Sequence, residues 1–69
     1  MKISLSKKYY SVSSIERSME EFSKIAVFIL NQEEKTFILE IERIQENLKK
    51  NFCEEFCNYL LSEMSREVR

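Results

Sequence analysis

The 69-residue chain contains no glycine, proline, histidine or tryptophan, and all 12 of its acidic residues are glutamate. A chain without glycine cannot form a phosphate-binding loop or a dinucleotide-binding fingerprint. The lack of histidine and aspartate excludes the usual zinc hydrolases, the EF-hand loop and histidine-based catalytic triads. We therefore expect no catalytic residue, no metal site and no cofactor, and we do not expect an enzyme.

Charge and hydropathy limit the partners. The 11 basic and 12 acidic residues are interspersed and give a net charge of −1, so no basic stripe suggests nucleic-acid binding. The longest apolar run, residues 25–30, is far shorter than the roughly 20 residues that cross a bilayer. The amino terminus also lacks the pattern of a signal peptide. We expect a cytoplasmic protein that binds no membrane, with Cys53 and Cys57 kept as thiols.

The length predicts one small α+β domain over residues 1–69. Below about 70–80 residues, a single core rarely supplies more than a few kcal/mol of stability. Neither a metal nor a disulfide is expected to add to it. We therefore expect the chain to form a homodimer or another homo-oligomer, or to fold against a different protein.

Three segments have the pattern of strands. Residues 1–10 alternate between apolar and polar, with Ile3 and Leu5 on the buried side. Residues 25–30 are too short for a helix and rich in β-branched side chains. Residues 37–42 alternate again after a polar turn over 31–35. That turn has no glycine, so a type I turn longer than two residues is expected.

Two segments have the pattern of helices. Ser13 and Glu16 fit a capping box at the start of the first, and Ser11 is a second candidate for its cap. A second helix is expected from about Glu46 to the end, with Asn47 as a possible cap. The apolar positions at helical spacing are Val12, Ile15, Met19, Phe22 and Ala26 in the first, and Leu48, Phe52, Phe56, Leu60 and Met64 in the second.

The order strand, helix, strand, strand, helix predicts a three-stranded sheet in the order 1-3-2, with both helices on one face. This is a ferredoxin-like fold without its last strand. A rival interpretation makes residues 36–69 one helix and the protein a helical hairpin. It is disfavoured because a strand over 25–30 needs a neighbour. The predicted core is Ile3, Leu5, Ile15, Met19, Phe22, Phe28, Leu39, Phe56 and Leu60.

The cysteines and the paired glutamates have simple explanations. Cys53 and Cys57 lie four apart on the second helix, which provides half a zinc site at best, so we expect core packing. The pairs at 20–21, 33–34 and 54–55 point in different directions on a helix or lie in a turn, and we expect them to face solvent.

The first strand is the candidate interaction site, because the predicted order leaves one of its edges unpaired. An extended peptide adding there would hydrogen-bond to the backbone from about residue 3 to residue 9. The predicted partner-binding residues are Ile3, Leu5, Lys7, Lys8, Tyr9 and Tyr10. The tyrosines would act as aromatic anchors and the lysines would favour an acidic peptide. The same edge could pair with a second copy, or the lysines could merely protect it from aggregation.

Two segments resemble the HxsD family. Residues 10–15, followed by Met19 and Phe22, are similar to the family's "tyrosine, serine, leucine, two residues, isoleucine" start. Residues 55–61, with Arg66 beyond them, are similar to its closing Phe-x-Asn-x-Leu-Leu helix and arginine. HxsD proteins belong to the His-Xaa-Ser system, which is encoded beside radical S-adenosylmethionine (radical SAM) enzymes and a short peptide substrate. The resemblance implies a non-catalytic accessory protein in peptide maturation, whose partner is the radical SAM maturase or its precursor peptide.

Overall fold

The computed structural model describes residues 1–67 and has the predicted element order. The elements are β1 (Lys2–Ser6), α1 (Val12–Glu21), β2 (Ala26–Gln32), β3 (Thr36–Ile44), a 3₁₀ helix (Glu46–Asn51) and α2 (Phe52–Glu67). The three strands form one sheet in the order β1-β3-β2. The α+β class and the strand order are therefore confirmed, whereas the helical hairpin over 36–69 is wrong because β3 occupies its first part.

The sheet is built around β3, which is antiparallel to both of its neighbours. β1 and β2 therefore run parallel to each other on opposite sides of it, connected by α1, an arrangement compatible with a ferredoxin-like fold. Leu39 lies at the centre, opposite Ile3 of β1 and Leu30 of β2. Residues 33–35 join β2 to β3. Within residues 1–67 no positive φ occurs, so the primed turns of two-residue hairpins are absent there.

The first helix begins at a serine cap, but not at the serine of the predicted capping box. Ser11 has extended backbone angles, and its Oγ accepts a hydrogen bond from the backbone N–H of Ser14 at 3.3 Å. The capping box of Ser13 and Glu16 is therefore wrong, and the alternative cap is correct. Tyr10, just before the cap, packs partly buried against the core.

The second helix starts later than expected. Residues from Glu46 form a 3₁₀ helix instead of an α-helix, and Asn47 lies inside it instead of capping it. Its side chains at i and i+3 eclipse, and Lys49 Nζ lies 3.1 Å from Glu46 Oε2. Because α2 begins only at Phe52, Lys49 and Lys50 lie before its first turn, whose N–H groups carry partial positive charge. That turn contains Glu54 and Glu55 instead.

The core includes all nine predicted residues to some degree. Five are buried, namely Leu5, Ile15, Leu39, Phe56 and Leu60. Four are partly buried, namely Ile3, Met19, Phe22 and Phe28. The prediction missed five buried residues, Ala26, Phe37, Ile41, Ile44 and Phe52. Ala26 was assigned both to the face of the first helix and to the strand over 25–30. The strand assignment is confirmed, because α1 ends at Glu21 and Ala26 begins β2.

Five aromatic rings hold the helices on the sheet. Phe52 and Phe56 stack along α2 with ring centroids 5.9 Å apart. Phe22, just after α1, meets both of them edge-on at 5.6 Å and 5.4 Å. Phe28 of β2 lies 5.3 Å from Phe56, and Tyr59 lies 5.7 Å from Phe22. Such edge-on pairs add to the stability gained from burial alone.

Two small polar residues are buried on α1. Ser14 and Ser18 are fully buried on consecutive turns of the helix. The hydroxyl of Ser18 donates to the carbonyl oxygen of Ser14 at 2.9 Å, so its polarity is satisfied within the helix. Within residues 1–67, no helix is long and apolar enough to cross a bilayer.

Candidate functional site

The outer edge of β1 is identified by the alternation of its hydrogen bonds. Met1 and Ile41 exchange both backbone bonds, at 3.2 Å and 2.7 Å, and the N–H of Lys7 donates to the carbonyl of Lys35 at 3.0 Å. In an antiparallel pair, every second residue makes such bonds and the residues between them point their N–H and C=O away. The backbone groups that point away from β3 therefore belong to Lys2, Ser4 and Ser6.

The exposed edge is shorter than predicted. β1 ends at Ser6, whose carbonyl accepts hydrogen bonds from the N–H groups of Tyr9 and Tyr10 at 3.1 Å and 3.0 Å. The N–H of Lys8 donates to the Ser6 hydroxyl at 3.2 Å. The expected continuation of the edge to Tyr9 is therefore wrong, because residues 7–9 turn back on the strand. The groups left for a partner are both those of Lys2, both those of Ser4 and the N–H of Ser6.

Among the predicted partner-binding residues, Ile3 and Leu5 lie on the core side of the sheet. Leu5 is buried and Ile3 partly buried, and their backbone groups face β3. The sequence pattern correctly indicated which side chains are inward. The backbone groups that face outward belong to Ser4, between these two residues, and to Lys2 and Ser6 on either side of them. This follows from the strand period of two once the pairing partner is known.

The lysines and tyrosines lie together at the turn that follows β1. Lys7 Nζ lies 5.4 Å from the ring centre of Phe37, and Lys8 Nζ lies 5.6 Å from that of Tyr9. Tyr9 is 66% exposed, whereas Tyr10 is partly buried against the core. Of the two predicted anchors, Tyr10 therefore packs against the core and only Tyr9 lies at the surface. The exposed pair, Lys8 and Tyr9, is available beside the end of the edge.

The opposite edge of the sheet, formed by β2, was not predicted as a site. The N–H of Glu33 donates to the carbonyl of Thr36 at 2.8 Å, and the strands then continue in register towards Ile29. The same alternation leaves the backbone groups of Phe28, Leu30 and Gln32 pointing outward. β2 contains no charged residue, so one edge of this sheet is uncharged and the other is flanked by lysines.

The two cysteines differ in environment. Cys53 is exposed and its Sγ lies 2.9 Å from the Sδ of Met1, so its predicted core packing is wrong. Cys57 is half-buried, and burial, with a smaller contribution from Cys53, raises its pKa. A raised pKa disfavours the thiolate that binds metals or attacks substrates. Within residues 1–67, no three histidine, cysteine or acidic side chains cluster as a metal site would require.

A buried carboxylate links the two helices. Glu63 is only 5% exposed, and its oxygens lie 3.8 Å from Arg17 and 3.5 Å from Arg66. A hydrogen bond to Glu63, followed by burial, raises the pKa of Tyr59. Arg17, Tyr59 and Glu63 line an open groove of about 490 Å³, together with Glu20, Glu21 and Lys24. The contact between Arg17 and Glu63 connects α1 with α2 inside it.

Glu63 was missed because it lies between Leu60 and Met64 of the apolar stripe, and a glutamate is rarely expected to be buried. It lies one turn after Leu60 and four residues after Tyr59, so helical spacing places it on the inner side. The glutamate pairs at 20–21, 33–34 and 54–55 are all exposed, as expected.

Comparisons with known protein families, curated proteins and solved structures give no match for this chain. They identify no family, and the resemblance to HxsD stays a prediction.

Proposed function

We propose that this chain is a non-catalytic interaction protein that binds an extended peptide as a fourth strand beside β1. The partner is an acidic segment of another protein or of a peptide substrate. Main-chain hydrogen bonds to the edge give affinity, and side chains at its end give specificity.

The observation that carries this proposal is the outward direction of the backbone groups of Lys2, Ser4 and Ser6. The two-residue spacing of these groups matches the spacing at which a neighbouring strand presents its own donors and acceptors. Ser4 and Ser6 have short side chains, so a peptide backbone can approach this part of the edge closely. No glycine or proline interrupts the edge.

The charge beside the edge favours an acidic peptide. Lys2 lies in the strand, and Lys7 and Lys8 follow it directly. The exposed ring of Tyr9 offers a rigid surface on which a peptide side chain can pack. If the lysines served only to prevent aggregation, as they do on many edge strands, the edge would bind neither acidic nor basic peptides.

The resemblance to HxsD suggests the class of partner. We propose that this is a radical SAM maturase or its precursor peptide, in the cytoplasm where such systems act. A gene for a radical SAM enzyme beside the gene for this chain would support that assignment. Its absence would leave peptide binding standing and remove the maturation role.

The test is a titration of the ¹⁵N-labelled protein with an acetylated seven-residue peptide of alternating glutamate and valine. The amide signals of Lys2, Ser4 and Ser6 should shift most, and a peptide of alternating lysine and valine should bind more weakly. Ser4→Pro removes one outward N–H without touching the bonds to β3, since proline is tolerated on an open edge. It should weaken binding by about tenfold, as expected for one lost hydrogen bond.

Ser4→Ala is the matched control, because it changes the side chain and keeps the N–H. It should bind as the unmodified protein does. Equal binding by Ser4→Pro and Ser4→Ala, or shifts confined to residues outside β1, would contradict the proposal.

A second candidate function, self-association without a peptide partner, is favoured by the uncharged β2 strand with its exposed Val27 and Ile29. In that case the acidic peptide would produce no shifts, and the protein would still be an oligomer.

A further inference from the structure

We propose that β2 pairs, antiparallel, with β2 of a second copy of this chain, so that two three-stranded sheets become one continuous six-stranded sheet. The two β1 edges then lie at the far ends of that sheet, where each remains open. This inference concerns the opposite edge from the peptide site and does not depend on the proposed function.

The first observation is the composition of the strand. β2 spans seven residues, against five in β1, and none of them is charged. Val27 is 48% exposed and Ile29 is 41% exposed, and both lie on the face of the sheet away from the helices. A long, uncharged edge with exposed β-branched residues is the kind that pairs with another strand.

The second observation is self-complementarity. The outward backbone groups of Phe28, Leu30 and Gln32 are donors and acceptors alternating along one line. A two-fold axis across this edge presents each donor of one copy to an acceptor of the other. A two-fold interface of this kind uses the same surface on both copies and closes at the dimer.

The side chains select the register. With the axis at Ile29, this residue lies beside itself, and Phe28 of each copy pairs with Leu30 of the other. Phe28 and Leu30 are only partly buried in a single copy, so the pairing extends the core across the interface. With the axis at Leu30, Phe28 would lie opposite Gln32 and Ile29 opposite Asn31. The first register is favoured because it pairs apolar residues with one another.

The third observation is the charge at the two ends of β2. Lys24 lies just before the strand, and Glu33 and Glu34 lie just after it. In the antiparallel pair centred on Ile29, Lys24 of one copy approaches Glu34 of the other, and the contact occurs twice. Self-pairing of β1 would instead bring lysines together. The charges therefore assign the second copy to β2 and not to β1.

The test is the molar mass by light scattering between 10 and 200 µM. The unmodified protein should reach twice 8.4 kDa within this range. Ile29→Lys and Ile29→Glu each place two like charges at the two-fold axis. Each should raise the dissociation constant of the dimer at least tenfold. An equimolar mixture of the two variants should restore the dimer, because the opposite charges then meet. Circular dichroism must show that each variant keeps its secondary structure.

Val27→Lys is a second disrupting variant in case one substitution at Ile29 fails to fold. Leu61→Lys is the matched control, since Leu61 is 55% exposed but lies on α2, and it should leave the dimer unchanged. A monomer at 200 µM would overturn the proposal, as would a folded Ile29→Lys variant that associates like the unmodified protein. Dissociation by Leu61→Lys alone would place the interface on α2 and would also overturn it.

Discussion

β1 and β2 both border the same central strand, yet they leave two different edges. β1 is the shorter strand, carries Lys2 and is followed by Lys7 and Lys8. β2 is uncharged and exposes Val27 and Ile29. Each edge has outward backbone groups, so hydrogen-bonding capacity alone does not distinguish them. The difference in charge is the basis on which we propose an acidic peptide at one edge and a second copy of the chain at the other.

The two edges also differ in how they end. β1 is closed by a turn in which Tyr9 and Tyr10 donate to the carbonyl of Ser6. β2 continues into a hairpin whose first residues are Glu33 and Glu34, which stay exposed. A partner on β1 therefore meets an aromatic and basic boundary, and a partner on β2 meets an acidic one. Strand length and boundary together limit what can add at each edge.

The largest expected effect comes from a core substitution that unfolds the domain and so removes both sheet edges. Phe56 is fully buried and contacts Phe22, Phe28 and Phe52. Phe56→Ala should lower the free energy of unfolding by about 3–5 kcal/mol, which is enough to unfold most of a domain of this size. Urea unfolding followed by circular dichroism measures it. Leu61→Ala, at an exposed site, should change stability by less than about 0.5 kcal/mol. Equal effects would contradict the described core.

A smaller effect tests the connection from β1 to α1. Ser11→Ala removes the hydroxyl that accepts from the N–H of Ser14 and should cost about 1 kcal/mol. Ser13→Ala should cost less, because Ser13 is not the cap. The same urea unfolding compares the two variants. A larger loss with Ser13→Ala would show that the capping box forms after all.

A smaller effect still separates the two edges by charge. Replacing both Lys7 and Lys8 by glutamate should weaken binding of the alternating glutamate and valine peptide by about fivefold. Exposed charge pairs contribute only about 0.2–1 kcal/mol each. The mass of the dimer should not change, because neither lysine lies on β2. Loss of the dimer in this variant would mean that β1 takes part in self-association.

The smallest expected effect is a change of stability with pH that comes from α2 and does not involve either sheet edge. The pKa of Cys57 is raised by burial, and that of Tyr59 by its hydrogen bond to Glu63. Above about pH 9 the unfolded chain therefore loses these protons before the folded one does. The linked stability is present at neutral pH and falls as the pH rises. The urea midpoint of unfolding should fall between pH 7 and pH 10.5, and it should fall less for Cys57→Ser than for the unmodified protein. A rise in stability at high pH would contradict these assignments.

The side-chain pattern predicted the sheet well, because alternation and helical spacing report directly on burial. It indicated that Leu5 and Leu39 face inward and gave the strand order from the connections alone. It did not indicate where each element stops. Without glycine or proline, nothing in the sequence marks the end of β1 at Ser6 or the late start of α2 at Phe52.

The candidate site was harder to predict than the fold, because the hydrogen-bonding groups at the β1 edge belong to the backbone. Which N–H groups point outward depends on the pairing of Met1 with Ile41, a contact between distant parts of the chain. The sequence identified the charged and aromatic residues beside the edge but missed Lys2, Ser4 and Ser6. It placed self-association and peptide binding at one edge, because the exposure of Ile29, on which the separate β2 interface is proposed, is visible only in the folded sheet.

Amide hydrogen exchange at the two edges tests the central claim most directly. At a concentration where the dimer forms, the outward N–H groups of Phe28 and Leu30 should be protected, and dilution should remove this protection. Those of Ser4 and Ser6 should exchange freely until the acidic peptide is added. Concentration-dependent protection at Ser4 and Ser6, with none at Phe28 and Leu30, would contradict the account.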